Sequence, residues 1–111
     1  MARLRTDFFV SAHLRRCAVE GVDAVLRRRG AAEAGAVFVK VDRLDGTADL
    51  YGPAPQSLVD ESGERRFTAL MRADSPPEVE ARLAREGRFD PDYWLMEIDD
   101  RAGRHLLDLA E

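Results

Sequence analysis

Hydrophobic and polar positions sort most sharply near the C-terminus. From Tyr93 to Asp99, a period of two puts Trp94, Met96 and Ile98 on one side and Tyr93, Leu95, Glu97 and Asp99 on the other, the alternation of a pleated strand. The first side is wholly apolar, so the indole, the thioether and the branched aliphatic are predicted to lie together in a core. Asp100-Arg101-Ala102-Gly103 then offers a short turn with glycine where a positive φ is needed, and Arg104 to Leu107 is predicted to return as the antiparallel partner. An earlier stretch has the same design. Ala36 to Asp42 alternates Val37, Val39 and Val41 with Phe38 and Lys40, Leu44-Asp45-Gly46-Thr47 carries the Asp-Gly turn signal, and Thr47 to Tyr51 should pair back.

Two stretches show helical spacing instead. Thr6 or Asp7 can cap a helix that runs to about Glu20, with Gly21 as its stop. Val10, Leu14, Cys17 and Ala18 recur on its core side with His13 at the edge, whereas Phe8, Ala12 and Val19 form a second, roughly opposite apolar stripe interrupted by Arg15. A helix apolar on two sides needs two partners, so the second stripe is a candidate oligomer contact, or a surface for a loop or the C-terminal tail to cover. Ser75-Pro76-Pro77-Glu78 places Ser at an N-cap and Pro at the first helical position, and the helix it starts should run to about Glu86, with Val79 and Leu83 inward and Gly87 as its stop.

Val22 to Arg29 fits a continued helix or a strand; Gly21 and the β-branched Val22 and Val25 favour the strand, with Gly30 to Gly35 as the following turn. Arg66 to Met71 reads as a further strand, and the polar run Gln56 to Glu64 as an exposed loop or frayed strand edge. These elements predict an α+β fold, a single domain over residues 1–111. Its antiparallel sheet of five or six strands is built from hairpins, with two helices, at about 7–20 and 76–86, packed on one face.

Composition agrees with an ordinary globular chain, 45% hydrophobic and 34% charged, and no apolar run approaches the length that spans a bilayer. No membrane association is expected. The first residues, MARLRTDFFVSAHLRR, carry charges on both sides of a short apolar run and do not read as a signal peptide. One cysteine cannot form an internal disulfide, which fits a cytoplasmic location. The net charge of −4 conceals a split: residues 1–29 hold seven arginines against Asp7, Glu20 and Asp23, and the remainder is strongly acidic. That split fits either a basic binding surface or one element packing its charged edge on an acidic sheet.

Candidate chemistry is sparse. His13 and Cys17, four apart on a helix, point the same way, but two ligands do not make a zinc site and His105 is the one further imidazole. Asp42, Asp45 and Asp49 flank the first turn and Glu97, Asp99 and Asp100 the second; turns at the same end of one sheet would make an acidic patch able to hold Mg²⁺ or Ca²⁺, but without a calcium-loop spacing the default reading is solvated turn residues, and no metal or other cofactor is expected. Arg15 and Arg16 on the helix, with Arg27 and Arg29 sharing one face of a strand, are the candidate ligand-binding residues for phosphate. No aromatics are interleaved with them to stack bases, so nucleic acid is not the expected partner. There is no P-loop, nucleophile elbow, His-Glu-x-x-His or Cys-x-x-Cys, and no catalytic residue is assigned.

LRTDFFVSAHLRRC near the N-terminus, GAVFVKVDRLDGTADLYGP in the middle and LAREGRFDPDYWLMEIDDRAGRHLL near the C-terminus together resemble the domain of unknown function 1491 family, small alphaproteobacterial proteins with no established activity. The resemblance covers most of the chain outside residues 54–75. It implies a single domain of bacterial, cytoplasmic origin and supplies no catalytic residue. The expected function is therefore a non-catalytic binding or protein-interaction module, with a homodimer joined through Phe8, Ala12 and Val19 or through an unpaired strand edge. The alternative is a small-ligand, phosphate or nucleic-acid binding protein, or an enzyme, that uses the N-terminal arginine cluster.

Overall fold

Apolar alternation and helical spacing resolve into two helices and five strands in the computed structural model, which describes residues 5–55 and 65–110. In chain order they are α1 (Thr6–Val19), β1 (Asp23–Arg28), β2 (Val37–Asp42), β3 (Ala48–Pro53), β4 (Phe67–Asp74), α2 (Pro76–Phe89) and β5 (Trp94–Asp99). The α+β class and both helices are as expected. Gln56 to Glu64, read as a loop or frayed edge, lies outside the described residues.

The sheet order is β1-β5-β2-β3-β4. β2, β3 and β4 form an antiparallel meander, and β5 inserts between β1, antiparallel to it, and β2, parallel to it. The sheet is thus mixed, which corrects the all-antiparallel expectation. The C-terminal hairpin is the cause. Its turn does form, with the Gly103 amide donating to the Asp100 carbonyl at 3.0 Å and Gly103 at φ +75°. Both hydrogen-bonding edges of β5 are already taken, however, so Arg104 to Leu107 cannot join it. The chain leaves the sheet there and meets it again through a parallel bridge between Leu109 and Phe67 of β4.

Each face of the sheet carries one helix, another departure from the expectation that both share a face. Val10 and Cys17 of α1 are buried with Val37, Val39, Val41, Tyr51, Phe67, Trp94, Met96 and Ile98. Val79 and Leu83 of α2 are buried with the alternate residues, Phe38, Leu50, Tyr93 and Leu95. In a period-two strand the two sets point in opposite directions. Tyr93 and Leu95, read as the outward side of the C-terminal strand, are covered by α2.

Local chemistry explains the helix ends. The Ser75 hydroxyl accepts from the Glu78 amide at 3.4 Å and two prolines occupy the first turn of α2. Gly87 lies within the helix rather than stopping it: a Cβ there would stand 3.1 Å from the Tyr93 ring, so the small residue admits the aromatic. α1 stops before Gly21, at φ +74°. Neither Thr6 nor Asp7 caps α1; the Thr6 hydroxyl instead accepts from Arg65 Nη2 at 2.7 Å.

The segment between β1 and β2 wraps the Trp94 indole, whose Nε1 donates to the Ala31 carbonyl at 2.8 Å. Gly30 faces this ring so closely that an added Cβ would lie 2.1 Å from the Asp92 carbonyl oxygen and 2.6 Å from Trp94 Cδ1. Gly30→Ala is therefore expected to cost about 1–3 kcal/mol by overpacking, read as a lower urea midpoint at an unchanged slope. An unshifted midpoint would show that this segment does not clamp the indole.

Candidate functional site

The outward side of α1 is built by spacing alone. Phe8, Ser11, Ala12, Arg15, Arg16 and Val19 fall on one stripe, opposite the buried Thr6, Val10, His13 and Cys17, and line a shallow depression of about 470 Å³. Phe8 is 56% and Val19 78% exposed. His13 belongs to the core side rather than its edge, and Ala18, expected inside, is exposed. The three residues proposed as an interface therefore do share one solvent-facing surface.

The arginines proposed as a ligand site do not converge. A bulge between Leu26 and Arg28 inserts Arg27 into β1, which breaks the alternation expected to put Arg27 and Arg29 on one face. Arg27 Nη1 donates to Glu80 of α2 at 2.8 Å and to Glu97 of β5 at 2.9 Å. Arg28 stacks over Tyr93 on that same side and donates to the Pro91 carbonyl, whereas Arg29 lies over Trp94, 5.0 Å from the ring centroid. Arg16 reaches the Leu106 carbonyl at 3.2 Å, and Arg15 borders the depression on α1.

What sequence reasoning missed is an ion cluster under α2. Lys40, the one lysine, is buried on β2, 2.8 Å from Glu80 and 3.8 Å from Glu97, and Arg27 joins the same two carboxylates. Its signal was present: Lys40 falls at a buried position of the alternation, and a buried ammonium requires paired carboxylates. Hydrogen bonds from Arg27 and Lys40 hold the Glu80 carboxyl at about 2, far below its usual 4.5.

The turn carboxylates divide in the same way. Asp42, Glu97 and Asp99 bring oxygens within 4.8 Å of one another at the adjoining ends of β2 and β5, but Glu97 already has two cationic neighbours. Asp49 is fully buried, with Arg43 Nη2 at 2.7 Å and the Ala73 amide at 2.8 Å. Asp100 accepts from Arg104, and Asp45 from Thr47. These carboxylates stabilise turns and register.

With this geometry in hand, the relatives can be placed. Residues 4–108 match the family described as "Protein of unknown function (DUF1491)". This chain belongs to the DUF1491 family. It is similar to a solution structure of an A. tumefaciens protein, with TM-score 0.85 and 42% identity over 98% of this chain and 96% of that one. A crystal structure of a DUF1491 family protein from Caulobacter crescentus CB15 gives TM-score 0.78 and 40% identity, covering 97% of this chain and 98% of that one. An NMR structure of a DUF1491 family protein from the same organism gives 0.80 and 42%, covering 100% and 99%. No curated protein matches the chain. Among the described residues, no helix of this DUF1491 chain is long and apolar enough to cross a membrane.

Cys17 is fully buried, and burial pushes its thiol above the ordinary range despite the nearby Arg16. A thiolate is the reactive form, so iodoacetamide at neutral pH is expected to label native protein far more slowly than denatured protein; equal rates would return Cys17 to the candidate list. Glu80 gives a second expectation. Its stabilisation is complete above 4.5 and is lost as pH falls from there through about 2. Because the side chain is partly exposed, solvent screening limits the loss in Glu80→Gln to about 1 kcal/mol at pH 7. The difference between wild type and variant should shrink as pH falls from 4.5 through about 2, and one that keeps its pH 7 size there in urea melts would assign the cost to packing.

Proposed function

We propose that this DUF1491 chain is a non-catalytic, cytoplasmic interaction module that pairs with a second copy of itself through the outer side of α1. The observation that carries the reading is the exposure of Phe8 and Val19 at the two ends of one stripe. Ser11 and Ala12 between them are small, so two helices crossing about a two-fold axis can approach closely there, each Phe8 reaching toward the other copy's Val19. Arg15 and Arg16 extend aliphatic stems along the rim while their charged ends stay in water. The commitment of Arg27 and Lys40 to Glu80 and Glu97, and of Arg29 to Trp94, argues against a phosphate or nucleic-acid site built from the arginine cluster. The single buried thiol supports the cytoplasmic assignment.

Size-exclusion chromatography with light scattering is expected to give twice the chain mass at high micromolar concentration. Phe8→Asp and Val19→Asp should each return the single-chain mass with an unchanged far-ultraviolet spectrum. A wild-type monomer at that concentration overturns the reading. A monomer whose melting temperature rises with inorganic phosphate would favour the alternative, because a ligand that prefers the native state raises stability.

A further inference from the structure

The chain from Gly103 to Ala110 crosses the α1 side of the sheet, meets it at one bridge between Leu109 and Phe67, and is fastened there by His13 of α1 and shaped by its own His105. His13, buried on α1, places Nε2 2.9 Å from the His105 carbonyl oxygen, and Arg16 donates to the next carbonyl, that of Leu106. The Leu107 amide donates to His105 Nδ1 at 2.9 Å, which bends the chain over Leu106 at φ +59°. A left-handed conformation is strained for a branched residue, so these bonds hold a turn that the free chain avoids. Beyond it, Phe67 of β4 donates to Asp108 and accepts from Ala110 at 2.8 and 2.9 Å. Leu107 and Ala110 are buried as a result.

We propose that His13 and His105 form an acid-released latch, whose protonation frees residues 104–110 from α1 and β4 while the sheet stays intact. The bonding fixes the protonation states. The Leu107 N–H points at His105 Nδ1, so that nitrogen must hold a lone pair, and His13 must carry its proton on Nε2 to donate to a carbonyl. A proton added to His105 Nδ1 sets N–H against N–H and breaks the bond that holds the Leu106 turn. A proton added to His13 enters at Nδ1 and leaves the Nε2–H bond to the His105 carbonyl in place; what opposes it is the burial of that ring and the Arg16 charge.

The surrounding groups act in both directions, and burial decides for neutral rings. His13 faces Arg16 on its own helix, Asp108 of the tail and His105; His105 faces Arg72 of β4 and Asp49 and Tyr51 of β3. Asp49 is already satisfied by Arg43 and the Ala73 amide, and Asp108 leaves with the tail on opening. Burial, the largest influence on both, outweighs the His105 carbonyl and Asp108, which favour a charged His13, and Asp49, which favours a charged His105; with Arg16 at His13 and with His13 and Arg72 at His105 it holds both rings below the ordinary 6.5. His105, carried off with the tail, regains that ordinary value, and His13 loses the cover of the tail. The latch is therefore fully closed above 6.5 and weakens as pH falls from there through the lowered values. Where both rings take up a proton on opening, the open fraction rises by up to about a hundredfold per pH unit. Opening bares Leu106, Leu107 and Leu109 beside Arg16, which also borders the outer depression, but the latch stands whether or not two copies pair there.

Amide hydrogen exchange, expressed as protection factors so that the intrinsic pH dependence cancels, tests this directly. Between pH 7.5 and 5, Leu107 and Ala110 are expected to lose at least about tenfold in protection while Met96 in β5 keeps its own. The double variant His13→Gln, His105→Gln should show no such pH response. If that variant does not fold, wild type still decides: ring proton shifts in NMR should titrate with the same midpoint as the tail amides. Constant tail protection, simultaneous loss in tail and sheet, a response that survives in the variant, or a tail midpoint matching neither ring each overturns the latch.

Discussion

A strand has two hydrogen-bonding edges and two faces, and β5 has all four occupied. β1 and β2 take the edges; α1 covers Trp94, Met96 and Ile98, and α2 covers Tyr93 and Leu95. The remaining architecture follows from this saturation. With no edge left beside β5, the segment after Gly103 must leave the sheet plane, and the exit turn directs it across the α1 side, where Leu107 and Ala110 find cover. With apolar side chains on both faces, one helix cannot bury the strand, and the two helices are divided between the faces.

Charge is organised by the same burial. Lys40 is buried on β2 between Leu50 of β3 and Glu97 of β5, and its ammonium is tolerable there because Glu80 of α2 and Glu97 both approach it. Arg27 completes the set from β1, so that the cluster joins four elements, β1, β2, α2 and β5. The bulge that aims Arg27 into this cluster also disperses the arginine run. A concentration of positive charge in the sequence thus becomes a distributed set of structural contacts: carboxylates for Arg27, backbone carbonyls for Arg16 and Arg28, and aromatic rings for Arg28 and Arg29.

α1 is the element with two allegiances. Its inner side joins the core and holds the C-terminal segment through His13 and Arg16, while its outer side leaves Phe8 and Val19 in solvent. Arg16 touches both surroundings.

Local periodicity determined a good deal by itself. The capped start of α2, the β2–β3 hairpin with its Asp-Gly turn, the inward set of β5 and the two apolar sides of α1 are nearest-neighbour properties, legible because spacing of two or of three to four fixes which side chains share a surface. The strand neighbours of β5, the division of the helices between the faces, the position of His105 against α1 and the scattering of Arg15, Arg16, Arg27 and Arg29 were decided only by tertiary structure. Each depends on competition between segments far apart in the chain for a limited number of edges, faces and countercharges. Periodicity says which side of a strand is apolar; it cannot say which other segment reaches that side first.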